Sequence, residues 1–208
     1  MKRILASSFV AAIVACSSSS SSPTDATPTG GGGDDGGADA GGDARIVACN
    51  LQPIDSATTI TPTFAIYDPP TSQPRAMTGG TPNGRLVVTA AKFYLPTNTK
   101  SIAHPDMSTG ELLAWSVFDG KAYRIFLHAA ATIDTSIGPQ PQNNDVASQG
   151  AFTVSGSTLS IDYSCDAAPP DPLPEYTFSD DGGPKAYLVI KSSTSFGDGY
   201  LELEATRL

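Results

Sequence analysis

Few side chains in this sequence could carry chemistry. Its 208 residues include three cysteines and two histidines. Cys16, Cys49 and Cys165 could each supply a thiolate, a metal ligand or half of a disulfide, and every one of those uses needs a second group close by. His104 stands in Ala103-His104-Pro105-Asp106, and His128 stands near the end of an apolar run. Two histidines with a carboxylate could hold a divalent metal, but their spacing repeats no ligand pattern, and no metal is expected. The many serines lack a Gly-x-Ser-x-Gly turn. Gly79-Gly80 and Gly182-Gly183 read as turn glycines and fit no phosphate-binding loop. Asp180-Asp181 and Glu202/Glu204 could in principle form a glycosidase carboxylate pair. Their settings, a Gly-rich turn and an alternating strand, make them turn and solvent-face residues instead. No catalytic constellation results, so the chain reads as a non-enzyme without a cofactor.

The elements that would position these residues fall into three parts. Composition sets the bounds. There are 12 Lys+Arg against 21 Asp+Glu, a net charge of -9, and 39% hydrophobic residues. An acidic chain is a poor nucleic-acid binder, because affinity for phosphate needs a basic face. No apolar run approaches the ~18 residues of a membrane-spanning helix. At the N-terminus, Lys2 and Arg3 precede a short apolar stretch from Ile4 to Val14. That is the pattern of a secretory signal.

The stretch ends in Ile13-Val14-Ala15-Cys16. These four residues resemble the lipobox of bacterial lipoprotein precursors at every position. The resemblance implies a signal peptide over 1–15, cleavage before Cys16, a diacylglyceryl group on its thiol and an acylated new amine. One acyl chain anchors a protein only marginally and two or more anchor it stably, at ~0.8 kcal/mol per buried methylene. Ser17 follows the cysteine where an Asp would favour the inner membrane, so the family pattern implies an outer-membrane location and a membrane partner.

With Cys16 lipidated, Cys49 and Cys165 remain, and export places them in an oxidising compartment. An even pair there is expected to form a disulfide, which in the chain-entropy model stabilises by about 4–5 kcal/mol. A reactive thiol is the alternative. Non-reducing mass spectrometry of the mature domain decides between them, since two free thiols would exclude the bridge.

Residues 17–44 contain only Ser, Pro, Thr, Asp, Ala and Gly, beginning with six serines. Such a segment buries nothing that could offset the entropy of ordering it, and is expected to be disordered. Together with Cys16 it forms a tether over 16–44, with a root-mean-square span of roughly 30 Å. Its aspartates match no calcium-loop spacing.

Residues 45–208 read as one all-β domain. Short runs of Val, Ile, Phe, Tyr and Thr alternate with Gly, Pro, Asn and Asp, and helical periodicity is scarce. Strands are expected at 45–49, 59–67, 85–95, 112–118, 121–129, 152–154, 159–163, 175–179, 185–191 and 200–207. Loops are expected at 69–83, 96–109, 140–149 and 166–174. A turn centred on Asp119-Gly120 would pair Phe118 with Lys121 and Ala114 with Ile125, and would set Trp115 across from Arg124 as a cation–π neighbour. A Ser155-Gly156 turn would put Phe152, Val154, Leu159 and Ile161 on one face. Leu201, Leu203 and Ala205 of the last strand face inward. About eight of these strands, mostly joined by hairpins, would hide their edges in an antiparallel up-and-down barrel or a curled two-sheet sandwich. Polar residues on the outer face argue against a transmembrane barrel.

Gly84 to Thr89, the Phe152 to Leu159 hairpin, Cys165 and the closing strand loosely resemble lipocalin-like bacterial lipoproteins over 84–208. The Gly-x-Trp of lipocalins is absent, since Arg85 and Leu86 follow Gly84. The resemblance implies a non-catalytic module for a small apolar ligand. Tyr94, Trp115, Phe118, Tyr123 and Phe126 are the aromatic candidates to line its pocket. The alternatives are a structural or interaction module that contacts another envelope protein and, last, a hydrolase.

Overall fold

The computed structural model describes residues 54–96, 103–136, 138–162, 173–194 and 197–208. Cys16, Cys49 and Cys165 lie outside the described residues, as do the 17–44 segment and the expected strand at 45–49. The described part is all-β, with ten strands and no helix. They are β1 (Thr63–Ile66), β2 (Gly79–Gly80), β3 (Gly84–Leu95), β4 (Ala103–Asp119), β5 (Ala122–Thr135), β6 (Gln140–Ser155), β7 (Thr158–Ile161), β8 (Glu175–Asp180), β9 (Lys185–Thr194) and β10 (Gly197–Arg207).

All ten belong to one mixed sheet. From β3 to β10 each strand pairs antiparallel with the next in the chain, and β10 pairs with β3. The path of pairings therefore closes. The contact between β3 and β4 is short, running only from Gly84↔Phe118 to Val87↔Trp115. Beyond it β3 and β4 no longer pair, and a segment from earlier in the chain takes the freed edges. Ile60 exchanges both backbone hydrogen bonds with Leu112 of β4, at 2.7 and 2.9 Å. Thr63 to Ile66 then pairs in parallel with Lys92 to Leu95 of β3. The strand expected at 59–67 is thus a wedge that satisfies backbone groups on two neighbours at once.

Alternation decides the core. Leu86, Leu112, Phe118, Phe152, Leu159, Phe178 and Leu201 all turn to one face and are buried. Leu112 and Leu201 have no exposed surface, and full burial of each stabilises by about 1.5–3 kcal/mol. Phe118 meets Phe152 edge-on at 5.2 Å, and Phe64 of β1 stacks on Phe93 at 5.3 Å. Such pairs contribute about 0.5–1.5 kcal/mol beyond their area.

Three expectations are corrected. The turn joining β4 to β5 is centred one residue later than expected. Asp119 pairs with Ala122, leaving Gly120 and Lys121 as the central pair. A turn centred on Asp119-Gly120 would need Asp119 at positive φ, whereas only glycines adopt it among the described residues. Gly120, at φ 60°, fits the first central place of a type II′ turn. Each β4 residue therefore faces a partner two further along β5, with the faces unchanged. Trp115 pairs with Phe126, not Arg124, and the rings stack at 5.8 Å. The β6–β7 turn shifts in the same way, to Gly156-Ser157 with Gly156 at φ 59°.

The second correction is at 140–149. These residues are the first part of β6 and pair along β5 from Ile133 to Arg124. Amides and small residues hide the alternation there, and pairing with a long neighbour overrides weak local propensity. The third is at 103–109, which opens β4, with a register irregularity between His104 and Thr109.

Candidate ligand-binding site

A cavity of about 100 Å³ lies among the core-facing side chains. Leu86, Phe118, Tyr123, Phe178, Ala186 and Leu203 are among its walls. They come from β3, β4, β5, β8, β9 and β10, so the site exists only when the whole path of strands is formed. The lining is overwhelmingly apolar. For scale, an apolar cavity of roughly 150 Å³ stays dry and takes up benzene.

At one end of this cavity stand Pro82, from a crossing segment, and Ser179 and Asp180, the last residues of β8. Residues 67–83 leave β1 and run over β10, β9 and β8. The Tyr67 ring packs on Tyr200 at 4.7 Å, and the Arg75 guanidinium sits 3.7 Å over the Tyr187 ring. The Arg75 N–H donates to Glu202 Oε2 at 2.9 Å, and the Thr78 N–H donates to Ser179 Oγ at 2.7 Å. Gly79 and Gly80 then pair in parallel with Ser179 and Asp180, on the edge of β8 that β7 leaves free. Both glycines have positive φ, and a Cβ on Gly79 would stand 2.5 Å from the Gly156 carbonyl oxygen. Only glycine allows so close an approach. Thr81 to Asn83 lead from there to β3, and Pro82 borders the cavity.

Two charged residues fix this end. Asp180 is buried, its side chain only 1% exposed, and it lines the cavity. Its Oδ1 accepts from Arg207 Nη2 at 2.5 Å and from the Gly182 N–H at 2.9 Å. Arg207 also donates through Nε to the Gly183 carbonyl and through Nη1 to the Asn83 carbonyl. One guanidinium thus ties the last strand to the β8–β9 turn and to the crossing segment. Asp180 Oδ2 is buried and has no hydrogen-bond partner.

The aromatic candidates divide. Phe118 and Tyr123 face the core and line the cavity. Tyr123 Oη bonds Ser148 Oγ at 2.7 Å and donates to the Asp162 carbonyl at 3.2 Å. Trp115 and Phe126 occupy the alternate positions of β4 and β5, stack on each other and also border the cavity. Tyr94 is not brought to it. It donates to Glu202 Oε2 at 3.1 Å, with Lys92 Nζ 4.7 Å over its ring. His104 pairs with Asp134 and His128 with Leu113, so the register keeps the histidines apart. No group of three or more His, Cys, Asp or Glu among the described residues could hold a metal ion.

No protein-family model, curated protein or solved structure matches this chain. The reading of the site therefore rests on its own geometry.

Asp180 and Arg207 are the residues that a reading of turns and solvent faces misses. Their signal is parity. Tyr176, Phe178 and Asp180 share one face of β8, and Leu201, Leu203, Ala205 and Arg207 share one face of β10. Two core faces that end in opposite charges mark a buried pair.

Tyr94 gives a pH prediction. Burial first, then the charge and hydrogen bond of Glu202, push its pKa up to about 12 from 10.0. Burial, followed by a hydrogen bond with Tyr67, also raises that of Tyr200. A tyrosine that holds its proton more tightly when folded contributes stability that is complete below pH ~10. That contribution is lost as the pH rises through the folded value. The fold is expected to weaken between pH 10 and about 12. Glu202→Gln should lower the late step of the ultraviolet tyrosinate titration. An unchanged titration would remove Glu202 as a cause.

Proposed function

We infer that this chain is a lipid-anchored protein of the outer membrane whose β domain holds a small apolar ligand without catalysis. The closed path of antiparallel strands supports reading that domain as an eight-stranded up-and-down barrel of lipocalin-like type, with β1 and β2 as additions. The observation that carries the binding reading is the apolar cavity among the core side chains. An interior packed to ordinary density would leave no such space. Ile13-Val14-Ala15-Cys16 supports the anchor, and the 17–44 composition supports a tether that keeps the domain within reach of the bilayer.

Native mass spectrometry of the protein purified from its own envelope tests the binding reading. A co-purifying small molecule is the expected result. A co-purifying protein with no small molecule would overturn it in favour of an interaction module. The anchor has its own test. An alkyne fatty acid supplied to the cells should label the wild type, and Cys16→Ser should lose both the label and the membrane fraction. Label retained in the variant would sink the assignment of Cys16.

A further inference from the structure

We propose that the ligand is a small, neutral, mainly apolar molecule carrying one hydrogen-bond donor, and that Asp180 Oδ2 accepts from that donor. The inference rests on the cavity being a binding site and names the chemistry the cavity selects.

A buried carboxylate keeps its charge only when its oxygens are bonded or paired. At Asp180 one oxygen is fully engaged, by the Arg207 guanidinium and the Gly182 N–H. The other is buried and unbonded on a residue that lines the cavity. Three other hydroxyls of the wall are already engaged. Tyr123 Oη is bonded to Ser148 and Asp162, and Ser179 Oγ to Thr78. Asp180 therefore offers a strong acceptor next to an apolar volume. A donor placed there would make a charge-assisted hydrogen bond.

Charge balance narrows the donor. Arg207 already neutralises Asp180. An ammonium ligand would add an unbalanced positive charge beside the Asp180–Arg207 pair and give up its own hydration to do so. A carboxylate or phosphate would meet Asp180 with like charge. An alcohol or phenol hydroxyl completes the hydrogen bonding and adds no charge.

Phenol and toluene have nearly the same shape and differ in that donor. Their binding to the full chain, measured by NMR titration, tests the proposal. Phenol should bind at least as tightly as toluene, although toluene gains more on leaving water. Asp180→Asn should then weaken phenol about tenfold or more, the scale of a hydrogen bond to a charged group, and leave toluene within about twofold. The reason is geometric. Arg207 and the Gly182 N–H hold the amide oxygen in the Oδ1 place, which puts the NH2 group where the acceptor was. Toluene binding more tightly than phenol to the wild type would overturn the donor inference and leave the cavity reading intact. Binding of neither would overturn both. If Asp180→Asn does not fold, the wild-type comparison alone decides.

Discussion

Arg207→Ala should destabilise the fold by about 3–5 kcal/mol, the cost of leaving a buried carboxylate without its counter-charge. Asp180 has almost no exposed surface from which water could replace the lost partner. The same substitution strips donors from the Gly183 and Asn83 carbonyls. The loss would therefore reach the β8–β9 turn, the crossing segment and the closing strand together. Urea unfolding followed through the Trp115 emission measures it. Arg207→Lys should recover only part of the loss, because an ammonium cannot reproduce the planar fork that reaches three acceptors. A loss below about 1 kcal/mol in the alanine variant would show that the pair is solvated and that the end of the cavity is not built as described.

Among the described glycines, Gly80→Ala should be the most damaging substitution. A Cβ at this position would overlap the backbone carbonyl of Asp180, and φ is 126°. Backbone strain alone costs of order 1–3 kcal/mol at such a position, and the overlap adds to it, because backbone cannot swing aside as a side chain could. Gly120→Ala is the matched control. It shares the positive φ, but its new Cβ would meet nothing within 4 Å. The difference between the two variants contains the packing of 79–80 against β8 together with the greater strain of φ 126° over φ 60°. Amide hydrogen exchange should rise at Ser179 and Asp180 in Gly80→Ala and stay unchanged there in Gly120→Ala. Equal losses would mean that the contact with β8 carries no energy.

Much of the sheet was legible, because period-two alternation is a local property. Phe152, Leu159, Leu201 and Leu203 declare a face wherever they are placed. The two turns lie one residue later than their dipeptides suggest, because Gly120 and Gly156 are the residues that must adopt positive φ. The first part of β6 was missed because Gln142, Asn143 and Ser148 say little by themselves. Its strand state comes from β5, which runs alongside it. The role of 60–80 was illegible for a stronger reason. Ile60 and Gly79-Gly80 fill edges that exist only because β3 parts from β4 and because β7 stops before β8 does. Those edges are properties of the assembled sheet. The site was half legible. Trp115, Phe118, Tyr123 and Phe126 stand out in the sequence as aromatics of one hairpin, whereas Asp180 looks like a turn residue and Arg207 like the end of a strand.

β3 is hydrogen-bonded by three separate stretches of chain: β10 along one edge, then β4 and β1 in succession along the other. One of those partners precedes it, and another is the final strand of the chain. During synthesis, a sticky, half-clothed ribbon carrying Leu86, Val87, Val88, Phe93, Tyr94 and Leu95 must therefore wait for about a hundred later residues before its last neighbour arrives. Pairings so distant in sequence form slowly, and open strands invite aggregation in the interval. Shortening β10 would unzip the seam that closes the path of strands, because the same residues bond β9 on one side and β3 on the other.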